Sequence, residues 1–407
     1  MLSLIGVLAS MLVALLTVIL VHPKIVGFAQ KHRIVDNPDA RKLQRCPVPV
    51  MGGVAVFVGL AVGLCAAGLY NVAMPWCLEA LSLDVSFMPL NLVLLLPMFL
   101  GMSIMLVVGV ADDVSGLSAR LRFLIEIGIT LMLMLWTHRS LDNFQGLWGV
   151  GAVSLWLSIP LTIIAVVGII NAINLVDGVD GLSSGFCVMA STAFGLLFYF
   201  AGSYIMLLLC LLTIGSLLPF FFHNVFGQKT KMFIGDGGSL MMGVVMSSYV
   251  VMAISSGGDC EKFVDSGFGL VPFTLAVMCV PVFDTMRVMT MRIIRGISPF
   301  HPDKTHLHHL FIELGFSHFG TTLSELLLNV FVIAVWYVAY KLGASVDVQF
   351  YIVIVVGMLL TAGFYKFMKI QQVRQTALLR AVQRVGAATH FEKCAGWKFL
   401  QKIVDYK

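Results

Sequence analysis

The sequence predicts an all-α protein that crosses a membrane about eleven times, and three observations predict it. Of its 407 residues, 59% are hydrophobic and only 12% charged, and the mean hydropathy is +0.96. No water-soluble core could enclose that much apolar side chain and leave a wettable surface. Apolar runs of about 20 residues, the length needed to cross ~30 Å of hydrocarbon, recur along the chain. Basic residues fall on alternate connections between those runs. Disordered, collagen-like and disulfide-stapled classes are excluded by the same composition, as is a large soluble catalytic domain.

Residues 2–21 form an unbroken apolar stretch with no Lys or Arg before Lys24 and no small-residue cleavage site after it, which argues for an uncleaved first span. Further spans are expected at 51–70, 91–111, 119–137, 152–171, 183–201, 203–222, 237–256, 269–290, 322–341 and 349–367. The odd count puts the termini on opposite sides. Of the 26 Lys and Arg, all but Arg139, Lys262 and Lys341 lie on one set of connections. The positive-inside rule therefore expects the N-terminus outside, the C-terminus cytoplasmic and the long polar connections in the cytoplasm. The membrane also explains the net charge of +5, so no nucleic acid need be invoked. Residues 1–367 read as one transmembrane unit, and 368–407 as a basic cytoplasmic tail expected to lie as a helix on the anionic inner leaflet. The 8 cysteines form no CxxC pair and read as packing residues. Cys77 and Cys260 could face the oxidising side and pair, but the spacing favours free thiols.

In so apolar a chain the carboxylates are the informative residues, because an ionised group in hydrocarbon costs several kcal/mol unless it is paired or at work. The clustered ones, Asp112, Asp113, Asp177, Asp180, Asp236, Asp284 and Asp303, all map to cytoplasmic ends of spans or to the adjoining loops. No acidic or basic residue is expected at the midpoint of a span, where a transporter usually holds its substrate. Asp112 and Asp113 end the third span in GVADDVSGLSARLRF; two adjacent carboxylates need a cation, either Arg120 or Arg122 or a bound metal or phosphate-bearing ligand. In NAINLVDGVDGLSSG, Asn171, Asn174, Asp177 and Asp180 recur every three residues, making neighbours of consecutive pairs on a helical turn. A plain polar turn between spans is the alternative, but it would not need four amides and carboxylates without a nearby Lys or Arg. FIGDGGSLMMG sets Asp236 and two glycines at a helix start, suited either to a simple N-cap or to a phosphate with its Mg²⁺ or Mn²⁺. The loop RIIRGISPFHPDKTHLHHL gathers Arg295, Asp303, His306, His308 and His309; a zinc site is weighed against phosphate binding, and the oxygen-rich companions favour phosphate. Lys42, in RKLQRCPVPVMGG, adds a cation at the same face.

With these blocks in view, the sequence resembles the polyprenyl-phosphate N-acetylhexosamine-1-phosphate transferase superfamily (glycosyltransferase family 4). The match runs from about Lys42 to His309, in order and with each block at the expected face. The resemblance implies transfer of a sugar-1-phosphate from a UDP-sugar donor to undecaprenyl phosphate, releasing UMP, at the cytoplasmic face of a bacterial inner membrane. It further implies that Asp112 and Asp113 are the aspartate pair of the catalytic centre and that Asp236 is the principal Mg²⁺ ligand with Asn174 beside it. Asp177 and Asp180 match the family's neighbouring acidic pair, His306, His308 and His309 its HxHH triplet, Lys42 the lysine before PxPxxGG, and Asn224 the residue facing uridine. HLHH after PFHPDK is closer to the WecA-like form than to that of MraY, which makes UDP-N-acetylglucosamine the preferred donor. A MurNAc-pentapeptide-1-phosphate transferase and a transporter of lipid- or nucleotide-linked sugars are the rival readings, and a homo-oligomer is compatible with all of them.

Overall fold

A computed structural model describes residues 2–37, 46–82, 90–299 and 304–405. The chain folds as α1 (Leu2–Lys31), a two-residue antiparallel ladder of β1 (Val35–Asp36) with β2 (Val48–Pro49), α2 (Gly52–Ala80), α3 (Leu96–Ser115), α4 (Ala119–Thr137), α5 (Leu155–Val176), α6 (Leu182–Ala201), α7 (Tyr204–Phe226) and α8 (Gly235–Ile254). It continues through α9 (Leu270–Val277), α10 (Cys279–Ile294), α11 (Leu307–Glu313), α12 (His318–Lys341), α13 (Val346–Met358), α14 (Phe364–Arg374), α15 (Ala377–Ala388) and α16 (Ala395–Val404). Helix starts follow local chemistry: the hydroxyls of Ser118, Ser317, Ser345 and Thr376 each accept from a backbone N–H three residues on.

Every expected span coincides with a helix, so the all-α polytopic class holds. The count of eleven crossings is reached only in part. Among the described residues 9 helices are long and apolar enough to cross a membrane, or up to 10 if α9 and α10, which meet at 74°, form one broken span. The remaining expected span, α4, has 19 residues but carries Arg120, Arg122 and Glu126 in its first two turns. The break in the ninth span is held by Asn329 of α12. Its side-chain amide donates to the carbonyl of Val277 at 2.9 Å, and its oxygen accepts the Val280 N–H at 2.9 Å, so groups freed by the bend stay satisfied.

The bundle is organised around α8. Inside the protein lies 89% of its apolar window, against 28% for α1, so α8 reads as core and α1 as a lipid-facing rim. Gly-rich starts let the backbones meet around α8. A Cβ on Gly53 of α2 would come within 2.5 Å of Gly238, and one on Gly109 of α3 within 2.3 Å of the Gly237 nitrogen. The first turn of α8 is thus gripped between two helices with no side chain in between.

In the tail, α15 and α16 dock onto the polar end of the bundle. Leu379 joins a small core with Leu310, Phe311, Leu314 and Phe316, Ser317 donates from its N–H and its hydroxyl to the hydroxyl and carbonyl of Thr389 at 3.0 and 2.7 Å, and Trp397 packs on Phe226 at 4.6 Å between ring centres. Their outer faces stay exposed. All eight cysteines are free thiols; Cys77 is exposed and Cys260 buried.

Candidate active site

At that polar end, the 176–182 turn, the 227–234 loop, the start of α8, the α11–α12 corner and the tail enclose an open cavity of ≈ 1580 Å³. Its wall carries Asp113, Asp177, Asp180 and Asp236 together with Asn224, Lys231, His309 and His318. Three motif blocks far apart in sequence therefore converge on one space.

Asp236 sits in the first turn of α8. One of its carboxylate oxygens accepts from the Asn174 amide at 2.8 Å, and the other lies 3.7 Å from Arg122. Asn174 also donates to Ser239 at 2.9 Å, which fixes it behind Asp236 and off the cavity wall. Asp113 accepts the Asp236 N–H at 3.3 Å and so faces the positive end of α8. Asp112 accepts the Leu117 N–H at 2.6 Å and pairs at 3.0 Å with Arg122, the same guanidinium that meets Asp236. Of the two alternatives open for that pair, Arg122 is thus the cation of Asp112.

The 176–182 turn supplies Asp177 and Asp180, which differ in electrostatics. Burial pushes the Asp177 carboxyl well above the usual range, and the charges of Asp236, Asp113 and Asp180 push the same way. Burial alone would also raise Asp180, but hydrogen bonding to His318 and the charge of Lys231 more than offset it and leave its carboxyl below the ordinary value. Both partners are close, Lys231 at 2.6 Å and His318 at 2.8 Å. Asn224 ties the turn to the loop, accepting the Gly181 N–H at 2.6 Å and donating to the Met232 carbonyl at 2.9 Å.

The histidines form a second layer. His306 is buried, paired with Asp284 at 2.8 Å, and Asp284 is held in turn by Arg287 at 2.6 Å. His308 is buried over Gly178, where a Cβ would lie 2.5 Å from its Nε2. Burial, then the neighbouring His309 and His306, drive its imidazole well below the ordinary value, so it is neutral at pH 7. Only His309 of the triplet lines the cavity.

Several sequence expectations change position here. Asn171 does not reach the cavity: it lies one turn deeper in α5, buried, donating to Glu126 at 2.6 Å. Glu126 is itself a buried carboxylate in the first two turns of α4, short of the helix midpoint. Asp112 and His306 stand one layer behind the wall and not on it. Arg295 is exposed at the end of α10, bonded back to its own helix. Lys42 and Asp303 lie outside the described residues. Lys231 and His318, which do line the cavity, were not singled out; the KTKMFIGDGGS context of Lys231 was the one available signal, whereas nothing local marks His318 at the start of an apolar helix.

Among the described residues no three His, Cys, Asp or Glu side chains are grouped to hold a metal ion by themselves. The donor chemistry still suits a hard cation: Asp113, Asp177 and Asp236 are oxygen donors on one wall, and the crowding of their charges disfavours ionised Asp177. Mg²⁺ is commonly held by one or two carboxylates, water and ligand phosphates, not by an all-protein cage.

The family model described as glycosyl transferase family 4 matches residues 95–254, which include the aspartate pair, the 176–182 turn and the start of α8. A Bacillus subtilis (strain 168) protein named "probable undecaprenyl-phosphate N-acetylglucosaminyl 1-phosphate transferase" is 30% identical over 315 residues, covering 77% of this chain and 79% of its own. Proteins named undecaprenyl-phosphate alpha-N-acetylglucosaminyl 1-phosphate transferase from Escherichia coli (strain K12) and Yersinia pestis are 27% and 28% identical, each covering 71% of this chain and 72% of their own. Given that similarity over most of both chains, and a carboxylate-lined cavity built from the shared segment, the chain belongs to glycosyl transferase family 4, the polyprenyl-phosphate N-acetylhexosamine-1-phosphate transferase superfamily.

Proposed function

We propose that this enzyme transfers N-acetylglucosamine-1-phosphate, or a close N-acetylhexosamine-1-phosphate, from a UDP-sugar to undecaprenyl phosphate, releasing UMP at the cytoplasmic face of a bacterial inner membrane. The observation that carries the reading is the meeting of Asp113, Asp177 and Asp236 with Lys231, His309 and His318 around one cavity at the end of an apolar bundle. The acceptor is the one in the names of the relatives; the UDP donor is what the family resemblance implies.

Both reactants are anionic and repel until their charge is met. Asp236, steadied by Asn174, and Asp113 would hold Mg²⁺, which when bound supplies charge neutralisation to the donor diphosphate. Lys231 and His309 present donors to the remaining phosphate oxygens. An oxygen of the lipid phosphate then attacks the β-phosphorus of the donor while the bond to UMP breaks. A lipid phosphate with a second pKa near ~6 is already largely deprotonated, which favours direct attack. Should a proton still have to be taken, Asp113 is the better placed of the aspartate pair, because Asp112 is committed to Arg122 and the Leu117 amide.

The test is the purified protein with undecaprenyl phosphate, Mg²⁺ and a panel of UDP-sugars, following UMP release. Turnover is expected with UDP-N-acetylglucosamine, lost in Asp236→Ala and on chelation of the metal. A donor chiral at the β-phosphorus should give inversion; retention would point to a phosphoenzyme. No UMP from any sugar would sink the reading.

A further inference from the structure

The C-terminal tail packs its last described helix, α16, against the cavity. From Lys366 onward its only acids are Glu392 and Asp405, and Asp405 lies at the far end of α16 against the 228–230 turn. One oxygen of Asp405 accepts from the N–H groups of Gln228, Lys229 and Thr230 at 3.1, 3.1 and 3.2 Å and from the Thr230 hydroxyl at 3.1 Å. Consecutive amides that converge on one point form an anion-binding nest, and an ionised carboxylate is the stronger kind of acceptor for it.

Thr230 is fixed on its other sides as well. Its hydroxyl meets Nδ1 of His223 at 2.9 Å and its carbonyl meets Nε2 of His22 at 2.8 Å. The next residue is Lys231, whose ammonium is on Asp180. A second contact seats the same helix: Trp397 covers Phe226, the last residue of α7, and Phe319, next to His318, at 4.6 and 5.7 Å. Trp397 and Gln401 also form part of the cavity wall.

We infer that α16 is a built part of the active site, in which Asp405 and Trp397 are positioning residues that hold the 228–231 loop, and with it Lys231, in register with Asp180. A basic tail serving only to rest on a leaflet would have no need of an acid at a place where three amides converge. The inference rests on the transferase reading for its kinetic arm and on geometry alone for its second arm.

The kinetic arm is a double-mutant cycle on the full-length enzyme: Asp405→Ala, Lys231→Met and both together, with kcat/KM for the UDP-sugar measured by UMP release. Asp405→Ala is expected to lose about ten- to a hundredfold, the scale of a small misplacement of a phosphate-binding group. That loss should shrink when Lys231 is already replaced, because the two act through one contact. The second arm follows amide hydrogen exchange in the 228–231 segment, expected to quicken at least about tenfold in Asp405→Ala while α8 stays protected. Unchanged exchange overturns the inference, as does a kcat/KM within about twofold of wild type or a full loss still seen in the Lys231→Met background. Should Asp405→Ala not fold, Asp405→Leu, close in size and without an acceptor, takes its place under the same criteria. If the unmodified enzyme released no UMP, the transferase reading would fail and the exchange arm would still decide the role of α16.

Discussion

Asp177 and Asp180 are separated by one turn, yet they carry opposite electrostatic tasks. Asp180 is met by Lys231 and His318, so its negative charge is spent inside the protein; among the described residues the charges acting on Asp177 are like ones, which suits it to a cation from outside. Lys231→Met should therefore slow turnover by about tenfold or more, with loss in KM for the donor as well as in kcat, measured by UMP release. It should also lower the stability of the fold at neutral pH and flatten its loss in acid. The folded carboxyl of Asp180 is depressed, so its contribution is full above the unfolded value near ~3.9 and is lost as pH falls through the folded one. Without Lys231 the folded value rises, and part of the contribution at neutral pH is lost. Asn171 shows where residue-level reading from sequence stops. Its spacing from Asn174 matched a ligand-binding face, but a residue one turn deeper in α5 looks into the bundle, where it serves Glu126. Asn171→Leu is expected to lower stability by about 1–3 kcal/mol by stranding a buried carboxylate, with the catalytic residues untouched; a melting temperature equal to wild type would count against that role. Asp236 and Asp177 were legible because a carboxylate in an apolar chain has few innocent explanations. His318 was not, since only the fold brings it across 138 positions to Asp180.

Helix contacts explain why the GDGG block is built as it is. The start of α8 is set by backbone against backbone, with Gly53 on one side and Gly109 on the other. Gly109→Ala should push the first turn of α8 away from α3 and carry Asp236 with it. A loss of about 10²-fold in kcat is expected from a displacement near 1 Å, whereas Ala placed at exposed Gly128 of α4, with nothing within 4 Å, should leave the rate unchanged. Comparable rates for the two variants would refute the grip on α8. Existence of the helices was readable from apolar run length, because the bilayer sets that length directly. Their departures from regularity were not. The ninth run is apolar on both sides of its bend, from Leu270 to Phe283, and the bend at Met278 depends on an amide that α12 brings from Asn329. Likewise the amphipathic tail fits a leaflet surface by composition, and only the tertiary contacts of Trp397 and Asp405 reveal its inward face.

Across the whole molecule, one end gathers the charge and the rest is made to sit in lipid. The raised carboxyl of Asp177 gives this end a pH signature. A carboxyl whose folded value exceeds its unfolded one favours the fold while protonated, and that contribution disappears as pH rises through the folded value. A divalent ion displaces the proton, so its binding strengthens in the same direction. Thermal unfolding with and without Mg²⁺ should accordingly show a stabilisation that grows as pH rises, and a shift independent of pH would exclude Asp177 from the ion's surroundings. Activity should rise with pH through the same window. Asp180→Asn, by removing one of the three like charges, should move that rise to lower pH.

The bent ninth span has a bearing on how the protein is made. Ala276 to Val280 leave the ribosome well before Asn329, the side chain that satisfies their freed carbonyl and amide groups. Until α12 arrives, that stretch has no partner in lipid, a costly condition. Its stable integration is therefore expected to wait for α12 during translation: nascent chains stopped before residue 318 should leave the 270–294 segment accessible to protease, and chains that extend past 341 should protect it, an order of events that Asn329→Leu should abolish.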